Sequence, residues 1–178
     1  GAQPARAKTT FTPSSFVGNV RAYAPEPHAA PCDLDLAGTS SYGADPTLIA
    51  AAFAAGAARI TQYPDARPLA EKIAARFGVT AGCVLVTAGA DEALERTCRV
   101  ALGPERNAIV TDPTFEMLPR YVALAGGVLK QVAWPGGQLP VDAIVTAADA
   151  DTSLVAIVSP NNPTGAVASL DDIRRIHE

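Results

Sequence analysis

Short runs of β-branched and aliphatic residues recur at 84–87, 108–111, 128–133 and 154–158, each separated from the next by a stretch of helical character. A chain patterned in this way buries its strands between helices, so the predicted fold class is α/β, a mostly parallel sheet with flanking helices. Val84, Leu85 and Val86 run into Ala88-Gly89-Ala90-Asp91-Glu92, after which Leu94, Thr97, Cys98, Ala101 and Leu102 mark one helix face, a strand, tight turn and helix closed by Gly103. The run at 108–111 ends at Asp112-Pro113, and a helix is predicted over 115–125, where Pro119 forgoes one backbone hydrogen bond and is expected to bend it. A strand at 128–133, a short helix at 141–148 and a strand at 154–158 follow. Ser169 with Asp172 reads as a capping box for a last helix whose Leu170, Ile173 and Ile176 make a buried stripe.

Residues 1–35 read as an extended N-terminal arm, rich in Pro and Ala and without periodicity, as in Tyr23-Ala24-Pro25-Glu26-Pro27. Asp45-Pro46 opens a packed helix through Leu48, Ile49 and Phe53 to Gly56. Pro68 starts another, with Leu69, Ile73 and Phe77 on one face and Gly78 as its stop.

With 178 residues the chain is long enough for one sizeable core. A net charge of −4 gives no basic surface for nucleic acid or an acidic membrane, and no apolar run is long enough for a membrane span. Cys32, Cys83 and Cys98 form no Cys-x-x-Cys pair, and His28 and His177 are the only histidines, so neither a disulfide framework nor a metal site is expected. A reducing, cytoplasmic setting fits this usage.

Four segments fall where an α/β fold collects ligands, at the carboxyl ends of strands. In Ser159-Pro160-Asn161-Asn162-Pro163-Thr164-Gly165 the Asn-Pro and Thr-Gly pairs preset a sharp turn that leaves the Asn162 amide facing the crevice; turn chemistry alone is equally consistent with a plain surface turn. At Gly89-Ala90-Asp91-Glu92 the free N–H groups of Ala90 and Asp91 converge where a phosphate would be held, or simply begin a helix with a favourable acidic first turn. Neither a Gly-x-Gly-x-x-Gly fingerprint nor a Gly-Lys-Ser/Thr loop is present. Phe115 after Pro113-Thr114 is either core or a platform for a planar cofactor, and Tyr63 before Pro64 is either an ordinary half-buried tyrosine or a hydroxyl reaching a ligand or a neighbouring subunit.

Taken in order, Tyr63-Pro64-Asp65, Gly89-Ala90-Asp91-Glu92, Asp112-Pro113-Thr114-Phe115 and Ser159-Pro160-Asn161-Asn162-Pro163-Thr164-Gly165 resemble the fold type I pyridoxal-phosphate-dependent aminotransferases, closest to the histidinol-phosphate aminotransferases, over residues 16–178. The resemblance implies pyridoxal 5'-phosphate as cofactor. Ala90 and Asp91 would hold its phosphate, Phe115 would stack on the ring where the family commonly has Tyr, and Asn162 would hydrogen-bond the phenolic oxygen. Tyr63 would reach the phosphate of the neighbouring subunit, which implies a homodimer, with the arm at the substrate entrance. Residues 36–178 would be an incomplete cofactor-binding large domain.

Two departures bear on function. Leu36-Ala37-Gly38-Thr39-Ser40-Ser41-Tyr42-Gly43 stands where the family usually has Asn-x-Asn-Pro, which leaves the substrate open. The chemistry also needs a lysine and an acidic partner for the ring nitrogen. Lys8 lies in the tail, Lys72 on the polar side of a helix and Lys130 on a strand away from any Ser-x-x-Lys context. None fits, so the chain reads as the front portion of a longer enzyme and no catalytic residue is expected within it. The complete protein would move an amino group between a small amino donor, an amino acid or amino-phosphate, and a keto acceptor. A fold type I decarboxylase or carbon-sulfur lyase, or a non-catalytic binding module, would share these residues.

Overall fold

The computed structural model describes residues 14–18, 20–21 and 45–178, so most of the predicted arm and the segment 36–43 lie outside the described residues. Two compact units are present, one comprising Gly1–Ala22 with Thr87–Glu178 and the other Tyr23–Val86.

The first unit is built on a three-stranded sheet, β1 (Asn107–Asp112), β2 (Val128–Ala133) and β3 (Thr152–Ala156), in the order β2-β1-β3. Both pairings are parallel, with Ile109 opposite Lys130 on one side and Val155 on the other. Successive side chains on a strand point to opposite faces, and the core divides accordingly. Ala108, Leu129 and Leu154 join Cys98, Tyr121 and Val122 on one face, whereas Ile109, Val132 and Val155 join Trp134, Val141 and Ile144 on the other. The first face is covered by α4 (Gly89–Ala101) and α5 (Met117–Leu124), the second by α6 (Val141–Ala147) and α7 (Leu170–His177). A sheet covered on both faces favours continuous aliphatic runs over alternation, which is what 108–111 displays.

One further helical turn, α1 (Ser15–Gly18), lies within the stretch expected to be extended. Its Phe16 ring lies against the backbone that leaves α5: a Cβ on Gly126 would stand 3.2 Å from two ring carbons, and Gly126 has φ +78°. Only glycine meets both the close approach and the left-handed backbone.

Pro119 falls in the first turn of α5 rather than its interior. The helix begins at Met117, two residues later than expected, so Pro119 is its third residue and lacks an N–H that would have had no intrahelical acceptor anyway. The capping box of α7 is present as expected, with Asp172 N–H donating to Ser169 Oγ at 3.0 Å and Ser169 N–H to Asp172 Oδ2 at 3.2 Å. The stripe expected on this helix is a different one. Leu170 and Ile173 are exposed, while Asp172 is buried and Ile176, four residues on, packs against the Trp134 cluster, so the sheet meets the 172/176 edge.

At the amino-terminal end of the sheet a polar cluster ties the strands together. Lys130 Nζ donates to Asp149 Oδ2 (2.6 Å) and to the Ala147 carbonyl (2.9 Å), Asn107 Nδ2 donates to Asp149 Oδ1 (2.8 Å), and Thr152 Oγ1 donates to Asn107 Oδ1 (2.7 Å). These bonds, led by the one from Lys130, hold the Asp149 carboxyl below its ordinary range.

In the second unit, α2 (Pro46–Gly56) is capped by Asp45, whose Oδ1 accepts from Thr47 N–H at 2.8 Å and from its hydroxyl at 2.7 Å. The packing expected of α2 is absent among the described residues: Leu48 and Phe53 are each 69% exposed. A turn of 3₁₀ helix (Ala57–Arg59) follows, then α3 (Arg67–Phe77), which stops at Gly78 in the left-handed region as expected, with only Ala74 buried. After a second 3₁₀ turn (Ala81–Cys83), Val84 is extended, at φ −118° and ψ 121°, and residues 84–87 pair with no strand among the described residues. The strand expected there is therefore corrected to an unpaired segment, which lacks the neighbour that makes a ladder.

Ile144→Ala, at a site 1% exposed, should lower unfolding stability by about 2–5 kcal/mol in urea titrations. Val145→Ala beside it, at 50% exposure, should stay within about 0.5 kcal/mol. Asp149→Asn should lower the urea midpoint at neutral pH. A depressed folded pKa contributes stability that is complete above the ordinary carboxylate value and is lost as pH falls through the folded one. The gap between variant and unaltered chain should therefore close as the titration is repeated below about pH 4.

Candidate functional site

The connection from this unpaired segment into α4 is wound tightly. Gly89, at φ +79°, donates its N–H to the Thr87 carbonyl (2.9 Å), and Thr87 Oγ1 donates back to the Gly89 carbonyl (2.9 Å). The Ala88 N–H donates to Glu92, whose other oxygen accepts from Arg96 Nε at 2.9 Å; the Ala88 bond is the main reason the Glu92 carboxyl titrates low. With those two amides engaged, the N–H groups of Ala90 and Asp91 meet no acceptor among the described residues, and both residues are exposed. A 13-residue helix places a partial positive charge there, and unpaired amides at such an end bind anions.

The Asp91 carboxylate does not share that role. Its Oδ1 accepts from Tyr121 Oη at 3.0 Å, fastening the first turn of α4 to α5. Burial, and after it the hydrogen bond to Asp91, push the Tyr121 phenol above its ordinary value, so Tyr121 remains the donor at neutral pH. Of the Asp91 groups, the backbone amide is the one left to meet a ligand.

Phe115 sits two residues past Pro113 at the exit of β1, half-buried, with its carbonyl accepting from Leu118 N–H at the start of α5. The loop after β3 reaches the same exit. Asn161 is 2% exposed, and its Nδ2 donates to the Pro113 carbonyl (2.9 Å) and to Thr164 Oγ1 (3.0 Å). Its backbone N–H donates to Ala166 O (2.7 Å), and its carbonyl accepts from Gly165 N (2.6 Å), with Gly165 at φ +72°. Asn162, by contrast, is exposed. Ser153 Oγ donates to the Ala101 carbonyl, so α4 ends beside the start of β3 and its first turn, with Ala90 and Asp91, lies toward the carboxyl-terminal edge of the sheet, where the Asn161 bond to Pro113 pins together the loops that carry Phe115 and Asn162.

Tyr63 belongs to the second unit, where it is fully exposed beside an open cavity of about 870 Å³. The adjoining Asp65 takes a two-pronged bond from Arg67, Nε to Oδ1 at 2.9 Å and Nη2 to Oδ2 at 2.8 Å, which brings its carboxyl down to about 2. Lys130 is committed to Asp149 at the other end of the sheet, and Lys72 lies exposed on α3. Among the described residues no three His, Cys, Asp or Glu side chains gather as a metal site, and no helix is long and apolar enough to cross a membrane.

Sequence reasoning missed two residues. Tyr121 and Asp91 are thirty positions apart, and no local signal couples them. Asn161 stood beside the chosen Asn162, and only burial separates their roles.

A family model described as aminotransferase class I and II matches residues 38–178. The chain is 33% identical to the histidinol-phosphate aminotransferase of Geobacillus thermodenitrificans over 75% of its own length and 37% of that protein. Among solved structures, it resembles N-succinyldiaminopimelate aminotransferase from Mycobacterium tuberculosis (TM-score 0.65, 32% identity, 74% of this chain and 38% of that one). It also resembles a mutant aspartate aminotransferase from Thermus thermophilus (TM-score 0.73, 25% identity, 94% and 47%). The chain thus spans about a third of the length of the curated relatives it matches.

Tyr121→Phe should cost about 1 kcal/mol of stability by urea unfolding, because it removes the bond between α4 and α5 without opening a cavity.

Proposed function

The chain belongs to the class I and II aminotransferases, a family that works with pyridoxal 5'-phosphate, and from that premise we propose that its Thr87–Glu178 unit forms the phosphate and ring cradle of that cofactor. The observation that carries the reading is the pair of acceptor-free amides at the start of α4, on the same sheet edge as the half-buried Phe115 ring and the exposed Asn162 amide. A dianionic phosphate suits those amides and the positive end of the helix. An aromatic ring suits Phe115 by stacking, and a phenolic oxygen suits the Asn162 Nδ2 donor.

The complete polypeptide then transfers an amino group between an amino acid or amino-phosphate and a keto acid, and the likeness to histidinol-phosphate aminotransferases supports a substrate of that kind. When bound, the cofactor supplies the electron sink for this chemistry. The chain's own residues hold and orient it: Ala90 and Asp91 anchor the phosphate through their amides, Phe115 limits tilt of the ring, and Asn162 holds a proton toward the phenolic oxygen. Tyr63 extends to the phosphate site of a second subunit, which makes the working form a homodimer, in keeping with its full exposure. The protein works in the cytoplasm. With Lys130 committed to Asp149 at the other end of the sheet, the amine that the cofactor needs comes from elsewhere, and the 178-residue chain by itself does not transaminate.

Pyridoxamine 5'-phosphate tests the cradle without reacting with lysines, since it has no aldehyde. Titrated into the ¹⁵N-labelled chain, it should shift the amides of Ala90, Asp91, Phe115 and Asn162, whereas inorganic phosphate should shift Ala90 and Asp91 alone. Asn162→Ala should weaken pyridoxamine phosphate about tenfold and leave inorganic phosphate unchanged. If neither anion moves Ala90 or Asp91, the reading is wrong.

A further inference from the structure

Asn161 is 2% exposed, yet its Oδ1 has no hydrogen-bond partner among the described residues. A buried amide with one end unpaired costs free energy, so its place in the fold rests on what the other end does. The orientation is unambiguous, because only the NH₂ end can face the Pro113 carbonyl at 2.9 Å. That one group joins the two segments that carry the ring contacts. Pro113 lies two residues before Phe115, and Asn161 lies one residue before Asn162. The second Nδ2 bond, to Thr164 Oγ1 at 3.0 Å, and the two backbone bonds to Gly165 and Ala166 close the loop around Asn161, so it cannot turn without opening the whole segment.

We propose that Asn161 is a positioning residue for the ring subsite: its Nδ2 bond to the Pro113 carbonyl sets the spacing between the Phe115 platform and the Asn162 donor, without itself touching the cofactor. The inference rests on the cradle reading above. It predicts a division within the site. The phosphate contacts belong to α4, which the Asn161 hydrogen bonds do not reach, so loss of Asn161 disturbs recognition of the ring and spares recognition of the phosphate.

The test is the preference of the chain for pyridoxamine 5'-phosphate over inorganic phosphate, measured by amide-shift titration in the unaltered chain, Asn161→Ala, Asn161→Asp and Asn162→Ala. Asn161→Asp keeps the shape and replaces the donor by an oxygen, so it reads the same bond if Asn161→Ala does not fold. The expected result is a preference lowered about tenfold in the Asn161 variants, with phosphate affinity changed less than about twofold. The Asn162 side-chain amide should also no longer move on addition of the pyridoxamine compound. An unchanged preference overturns the proposal, and so does a parallel loss of both affinities, which would make Asn161 a general structural residue. Absence of any preference in the unaltered chain removes the cradle reading together with this one. A preference that Asn162→Ala abolishes and the Asn161 variants leave intact overturns this inference alone.

Discussion

Every residue of the candidate site within the larger unit is aimed by the double pairing of β1. Ala108, Ile109, Val110 and Thr111 have no exposed surface, because β2 and β3 occupy both edges and helices cover both faces. A strand enclosed on four sides cannot slip by one residue without turning its aliphatic side chains into the wrong cluster. Its exit at Asp112 and Pro113 is therefore fixed, and three things depend on that exit: the Phe115 ring, the carbonyl that receives Asn161, and the start of α5, whose Tyr121 holds the first turn of α4.

The two ends of the sheet differ in how their polar groups are satisfied. At the amino-terminal end Asn107, Lys130, Asp149 and Thr152 bond one another, and the cluster is closed. At the carboxyl-terminal end Thr111 Oγ1, Thr114 Oγ1 and Asn161 Oδ1 are buried without partners among the described residues, and they lie within or beside the two segments that meet there. Buried polar atoms in native proteins are nearly always paired. An edge that keeps unpaired oxygens and open helix amides has given up local stability, as binding edges do, while the opposite edge holds the strands in register.

Where a pattern is set by neighbours in sequence, it was legible beforehand. The β-branched runs marked β1, β2 and β3 to within two residues, and Ser169 with Asp172 marked the start of α7 because both halves of a capping box lie within one turn. Legibility failed where the deciding partner is distant or lies outside the described residues. Residues 84–87 have strand composition but no ladder among the described residues, and Leu48 and Phe53 have the composition of a packed face without a covering surface among them. Pro119 was misjudged for a smaller reason: its effect depends on where the helix begins, and a shift of two residues moves it from interior to first turn. The Asp91 carboxylate could not be assigned from sequence either, since its partner Tyr121 comes from another helix.

The Asn161-Asn162 pair shows how one residue type can serve two ends in adjacent positions. Of the two neighbouring asparagines, Asn161 is buried and Asn162 is exposed. The amide suits both places, because it donates and accepts without a charge that burial would penalise. Asn161 uses its donor inward, on the Pro113 carbonyl, and Asn162 keeps its own donor at the surface. An aspartate at the inner position would set a negative oxygen against a carbonyl, and a leucine would leave the Pro113 carbonyl without its side-chain donor and the loop unpinned. The inner asparagine is thus specified by the geometry of the strand exit.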